Sequence, residues 1–67
     1  MSSISDAVRA RRRELGLRQD DLAELAGISE RFVREVERDK STVRLDKLTA
    51  LLDALGLELR AEIRGTR

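Results

Sequence analysis

Apolar residues recur at helical spacing along most of this chain, and glycines at positions 16, 27 and 56 cut the pattern into separate helices. Ser3 or Ser5 is placed to cap a first helix, whose apolar row reads Ile4, Val8 and Leu15 before Gly16 stops it. A second, short helix is expected over 19–26, with Leu22, Ala23 and Leu25 inward and Asp20 and Asp21 favourably set in its first turn. Gly27 ends it. Ser29 is the natural N-cap of a third helix over 30–37, which turns Phe32, Val33 and Val36 inward. Residues 39–42 form a loop, and a fourth helix over 45–55 carries Leu45, Leu48, Leu51, Leu52 and Leu55 up to Gly56.

After Gly56 the period drops to two. Leu57, Leu59, Ala61 and Ile63 alternate with Glu58, Arg60 and Glu62, the pattern of a half-buried strand. A single strand cannot satisfy its own backbone groups, and no other segment reads as a strand. The expected partner is the same strand of a second copy, in an antiparallel two-stranded ribbon about a two-fold axis. Leu57, Leu59, Ala61 and Ile63 are then the dimerisation residues. The alternative is that 57–63 continue as frayed helix or coil. Residues 64–67 read as a loose tail.

Composition narrows the function. A chain of 67 residues makes one small domain with a modest core, so an extra staple is expected. With no cysteine, oligomerisation is the staple that remains. The lack of cysteine and histidine also removes zinc-finger chemistry and the commonest general base, so neither an enzyme nor a metal or cofactor is expected. No apolar run approaches bilayer length, and MSSISDAVRARRR does not read as a signal peptide, which makes the cytoplasm the expected compartment. The 14 basic and 13 acidic residues nearly cancel to +1, which argues against a general polyanion binder but not against DNA binding by segregated arginines. Phe32 is the only aromatic residue, too few for stacking platforms, so a nucleic-acid ligand would be duplex.

The two short helices joined through Ala26, Gly27, Ile28 and Ser29 have the helix-turn-helix layout, whose second helix enters the major groove. Ala23 is small enough for the two helices to approach closely. The outward face of the third helix carries Glu30, Arg31, Arg34, Glu35 and Arg38, with its arginines in one stripe. An arginine fork suits guanine O6 and N7, or a phosphate. Glu30, Arg31, Arg34 and Glu35 are therefore the base-reading candidates. The same residues form i,i+4 pairs that solubilise any exposed helix, and it is the preceding turn that favours a DNA-reading role. Glu35 is expected to hold the arginines in position, whereas Glu30 is left open between that task and accepting from cytosine N4. Arg18, Gln19, Ser29, Arg38, Lys40, Ser41, Thr42 and Arg44 are phosphate candidates, Gln19 because free N–H groups at the start of the second helix attract anions. Arg12 and Glu37 fall on apolar faces, where a charge needs a partner. A structural ion pair between them, joining the first helix to the third, is expected.

Over residues 4–57 the pieces RRRELGLRQDDLAELAGIS, RFVREVERDK and LDKLTALLDALGL resemble the Cro/repressor-type (Xre) helix-turn-helix family. The succession L-G-L-x-Q-x-x-L-A-x-x-A-G-I-S is the specific part. The resemblance implies an all-α, lambda-repressor-like helix-turn-helix domain of four helices over 1–56, to which the alternating residues add a β-strand over 57–63 pairing across a dimer and a flexible tail over 64–67. It implies base reading by the third helix, a phosphate at the start of the second, and a buried Arg–Glu pair matching Arg12 and Glu37. Arg18 departs from the family, standing where a capping Thr, Ser or Asn is common, which leaves a weak cap. Many members end in a fifth helix; this chain has the alternating segment instead, and that ending resembles the HipB-like antitoxins. The likeness implies a homodimeric repressor of an inverted-repeat operator that also neutralises a HipA-like kinase toxin. The alternatives are a phage-type or metabolic repressor without a toxin partner, and a protein-interaction module with weak DNA binding.

Overall fold

The computed structural model describes residues 2–63, with side chains from Ile4 onward; the expected tail over 64–67 lies outside the described residues. Four helices follow in order: α1 (Ser2–Glu14), α2 (Gln19–Ala26), α3 (Glu30–Glu37) and α4 (Leu45–Ala54). Helix α2 packs against α3 and α4, and α1 packs against α3. Their shared core holds Val8, Leu22, Ala23, Phe32, Val33, Val36, Leu48, Leu51, Leu52 and Leu55. Ile4, Leu17, Ile28, Val43, Ala54 and Leu57 close its edges. No helix among the described residues is long and apolar enough to cross a membrane.

All four helices end in the same turn. The N–H groups of Leu17, Ile28, Lys40 and Leu57 reach back to the carbonyls of Arg12, Ala23, Glu35 and Leu52, at 3.0, 3.0, 3.1 and 2.8 Å. The residue before each donates to a carbonyl three positions earlier, which completes a Schellman motif. That inner residue must be left-handed, and Gly16, Gly27, Asp39 and Gly56 have φ of 70, 70, 63 and 72°. Aspartate pays a steric penalty of about 1–2 kcal/mol there but is among the few non-glycine residues that adopt it. At three ends the next residue is apolar and turns back onto the core. At the fourth it is Lys40, exposed, so the expected loop at 39–42 opens with an ordered turn that presents a cation.

Several expected core positions are corrected. Leu15 is exposed because α1 has ended at Glu14, and Leu17 takes its place against the core. Leu25 is 64% exposed: at roughly 100° per residue it points about 100° away from the face shared by Leu22, Ala23 and Ala26. Leu45, the first residue of α4, overhangs the end of the stripe and is exposed too. Neither Ser3 nor Ser5 is an N-cap, since α1 has begun by Ser2. Ser5 is buried within the helix, where its hydroxyl donates to the Val36 carbonyl at 2.7 Å and meets Asp39 Oδ1 at 3.1 Å. The described residues contain no strand. Residues 57–63 run without regular secondary structure, with no strand among the described residues beside them to pair with.

Candidate nucleic-acid interface

Helices α2 and α3 are joined by a turn whose two chemical requirements are both met. Gly27 supplies the left-handed residue, and the Ser29 side chain accepts the Phe32 N–H at 3.1 Å, which caps α3. The start of α2 is capped differently. Arginine has no acceptor to offer, so Arg18 makes no side-chain cap; instead the Asp21 carboxylate accepts the Arg18 N–H at 2.9 Å.

The inner side of this unit is locked by charge. Arg12 Nε lies 2.6 Å from Glu37 Oε2 and Nη2 lies 3.0 Å from Oε1, a bidentate pair whose side chains are 12% and 5% exposed. Arg12 Nη1 also donates to the Leu17 carbonyl at 3.0 Å, and Gln19 Nε2 donates to Glu37 Oε1 at 3.1 Å. Arg9 donates to the Glu37 backbone carbonyl. Burial pushes the Glu37 carboxyl up, but the hydrogen bonds from Arg12 and Gln19, with the charges of Arg12 and Arg9, outweigh it and hold the group below the ordinary carboxylate range. The same bond raises the Arg12 guanidinium further. Among the described residues no buried side-chain polar atom lacks a partner. The network ties α1, the start of α2 and the end of α3 together, so the angle of α3 to α2 is set from inside.

The outer face of α3 is polar throughout and internally paired. Arg34 Nη1 is 3.1 Å from Glu30 Oε2, and Arg31 Nε is 3.3 Å from Glu35 Oε2. Glu35 Oε2 also lies 3.5 Å from Lys40 Nζ, so one carboxylate sits between a base-reading and a phosphate candidate. Arg31, at 81% side-chain exposure, is the most open of these groups, and Glu35 the least. Arg38 follows at the end of α3, exposed and without an ion-pair partner among the described residues.

The phosphate candidates are placed less uniformly. Lys40, Ser41 and Thr42 share the rim of one cleft. Arg44 turns to Asp46 at 2.7 Å, and Arg18 is exposed beside Asp20 and Asp21 at 3.3 and 3.7 Å. The Ser29 hydroxyl is engaged as a cap, which leaves its own proton available to an acceptor. Gln19 has one amide proton on Glu37 and one free, so it links the buried pair to the start of α2. Its inward lean had a signal: three residues before Leu22, it falls on the buried face of α2. Arg9 and Arg11 carry roles that sequence reasoning missed. Arg11 Nε donates to the Leu55 carbonyl at 2.8 Å, at the end of α4, as Arg9 does at the end of α3. Two of the four arginines of α1 are thus spent on the ends of other helices. Partners so distant in sequence leave no local trace.

The profile of the helix-turn-helix family matches residues 8–61. An uncharacterized HTH-type transcriptional regulator, y4mF, of Sinorhizobium fredii is 38% identical over 58 residues, covering 87% of this chain and 76% of that protein. The immunity repressor protein of Bacillus phage phi105 is 34% identical over 59 residues, which cover 88% of this chain but 41% of the phage protein.

Proposed function

We infer the function from one premise: this chain belongs to the Xre-type helix-turn-helix family. It is a transcriptional regulator with a helix-turn-helix DNA-binding domain, and the activity we propose is sequence-specific repression as a homodimer on an inverted-repeat operator. The observation that carries this reading is the α2–α3 unit, fixed from within by Arg12, Glu37 and Gln19 while Glu30, Arg31, Arg34 and Glu35 face outward. In the major groove, Arg31 and Arg34 exchange their glutamate partners for base edges or phosphate. Arg18, Gln19, Ser29, Arg38, Lys40, Ser41, Thr42 and Arg44 supply flanking backbone contacts, which fix register but read no sequence. Two copies joined through 57–63 would set their recognition helices about 10 bp apart or a multiple of it. The reading gives the protein no catalytic task and places it in the bacterial cytoplasm.

A fluorescence-anisotropy titration against the gene's own upstream DNA, with random duplex as control, tests it. A preference of roughly a thousandfold or more supports repression. Equal and weak binding to both duplexes overturns it. If each protomer neutralises three or four phosphates, log K falls against log salt with a slope of roughly −5 to −7.

A finer reading is that the protein is also the antitoxin of a HipA-like kinase toxin. It is supported by the likeness of the C-terminal half, with its alternating ending, to the HipB-like antitoxins. A kinase-like reading frame beside the gene, whose product co-purifies with this protein, is the expected finding. A gene without such a neighbour returns the protein to the class of stand-alone repressors.

A further inference from the structure

We propose that residues 57–63 pair with a second copy in one register only, antiparallel, with Ala61 facing the partner's Ala61 on the two-fold axis. The inference rests on the homodimer proposed above and goes beyond it by stating which residues meet.

Two apolar side chains of this segment lack cover: Leu59 is 48% exposed and Ile63 93%. Leu57 is different, being partly buried against the core with its N–H donated to the Leu52 carbonyl at 2.8 Å. On the opposite face Glu58 and Arg60 lie side by side, with Oε2 3.8 Å from Nε. In an antiparallel pair about a two-fold axis, choosing the residue on the axis fixes every other pairing. With Arg60 on the axis, Arg60 faces its copy and Glu58 faces the partner's Glu62, so every charged pair is of like sign. With Glu62 there, two carboxylates meet on the axis. Like charges directly opposite are destabilising. With Leu59 on the axis, Ile63 is brought opposite the partner's Leu55, which is already 1% exposed inside its own core, so Ile63 stays uncovered. With Ala61 on the axis, Arg60 faces the partner's Glu62 and Leu59 faces the partner's Ile63, each twice by symmetry. Leu59 on the axis also joins opposite charges, Glu58 to the partner's Arg60. Of these four registers, only the one centred on Ala61 does so while covering both exposed apolar side chains and leaving Leu57 on the core.

The backbone agrees. Leu57 directs its N–H towards α4, and along an extended chain the groups of 58, 60 and 62 then face the open edge. Arg60 and the partner's Glu62 become a hydrogen-bonded pair, and the two Ala61 residues form the closer, non-bonded kind. A small side chain suits that position.

The chain has no cysteine, so single substitutions report the register directly. Leu59→Cys, Arg60→Cys and Ala61→Cys are oxidised at micromolar concentration, and disulfide-linked dimer is followed on non-reducing gels. Ala61→Cys should link about tenfold faster than the other two, because only opposed residues meet disulfide geometry. In parallel, sedimentation equilibrium measures the dimer. Arg60→Glu and Glu62→Arg should each raise its Kd about tenfold or more, and the two together should bring it back to within about threefold. These positions lie outside the helices, and an unchanged circular dichroism spectrum checks that the fold is kept. Fastest linking by Leu59→Cys or Arg60→Cys overturns the register while leaving a ribbon. Equal linking by all three indicates a parallel or slipping pair and overturns it too. A wild-type protein that stays monomeric at tens of micromolar removes the homodimer itself, and this inference with it.

Discussion

Glu37→Ala would strip both oxygens from a buried guanidinium. Arg12 keeps only the Leu17 carbonyl at 3.0 Å, and at 12% side-chain exposure water cannot replace what is lost. Removing one member of a buried pair typically costs about 3–5 kcal/mol, and the remaining carbonyl bond and slight exposure reduce this to roughly 2–4. A domain of 67 residues has only about 3–10 kcal/mol in total, so the substitution removes a large share of it. Thermal unfolding followed by circular dichroism, at one fixed protein concentration, should show Tm lowered by roughly 10–25 °C. The double variant Arg12→Met/Glu37→Leu should recover at least half of the loss, since it leaves no charge buried. The pH dependence has a definite sign. The folded carboxyl lies below its unfolded value of about 4.3, so its contribution is present above that pH and is lost as the pH falls through the folded value. The gap in Tm between wild type and Glu37→Ala should therefore narrow below about pH 4. A Tm within about 3 °C of wild type at pH 7 would refute the reasoning, because it would mean that the guanidinium reaches water.

Three further outcomes are expected. Arg31→Ala and Arg34→Ala should each weaken operator binding by about 1–3 kcal/mol in the anisotropy titration, with a smaller effect on random duplex. Glu35→Gln releases Arg31 and Lys40 together, so affinity for random duplex should rise several-fold and the salt slope should steepen by about one. Gly27→Ala places a Cβ where nothing lies within 4 Å, so only the left-handed backbone at φ +70° resists it. The cost should be about 1–2 kcal/mol in urea unfolding, with the operator preference unchanged in material that remains folded.

The helices of the helix-turn-helix unit were legible because short-range rules decide them. Glycine at 27 and serine at 29 mark a helix stop and a helix start, and α2 and α3 run over 19–26 and 30–37 as those residues require. Arg12 and Glu37 stood out because charge on an apolar face needs a partner, and they lie 2.6 Å apart. Periodicity misled where a helix was ending or beginning, at Leu15 and Leu45, since a spacing argument holds only inside regular helix. Leu25 shows a second limit: three residues after Leu22, it lies about 100° from the face that Leu22, Ala23 and Ala26 share. The uses of Arg9 and Arg11 stayed hidden because their acceptors are 28 and 44 residues away, on other helices. Asp39 takes a backbone shape that glycine takes at the other three helix ends, so composition offered no warning of an ordered turn. For 57–63 the alternation is plain in the residues, but no strand among the described residues lies beside it to form a ladder.

The common turn that closes every helix has a consequence for how DNA is discriminated. Among the described residues no helix exceeds 13 residues and α3 has eight, lengths that do not persist in water on their own. Each is held by the others, and α3, whose closing turn presents Lys40 rather than an apolar residue, is anchored by buried Phe32, Val33 and Val36 and by the Arg12–Glu37 pair. Its amide protons should exchange at the rate of global opening, with those of Val33 and Val36 among the slowest in the molecule. Under the proposed function such a helix is expected to meet every sequence with one shape. An operator's departure from the best fit is then expected to strain the duplex rather than the protein, and sequences differ in how cheaply they bend or twist to accept it.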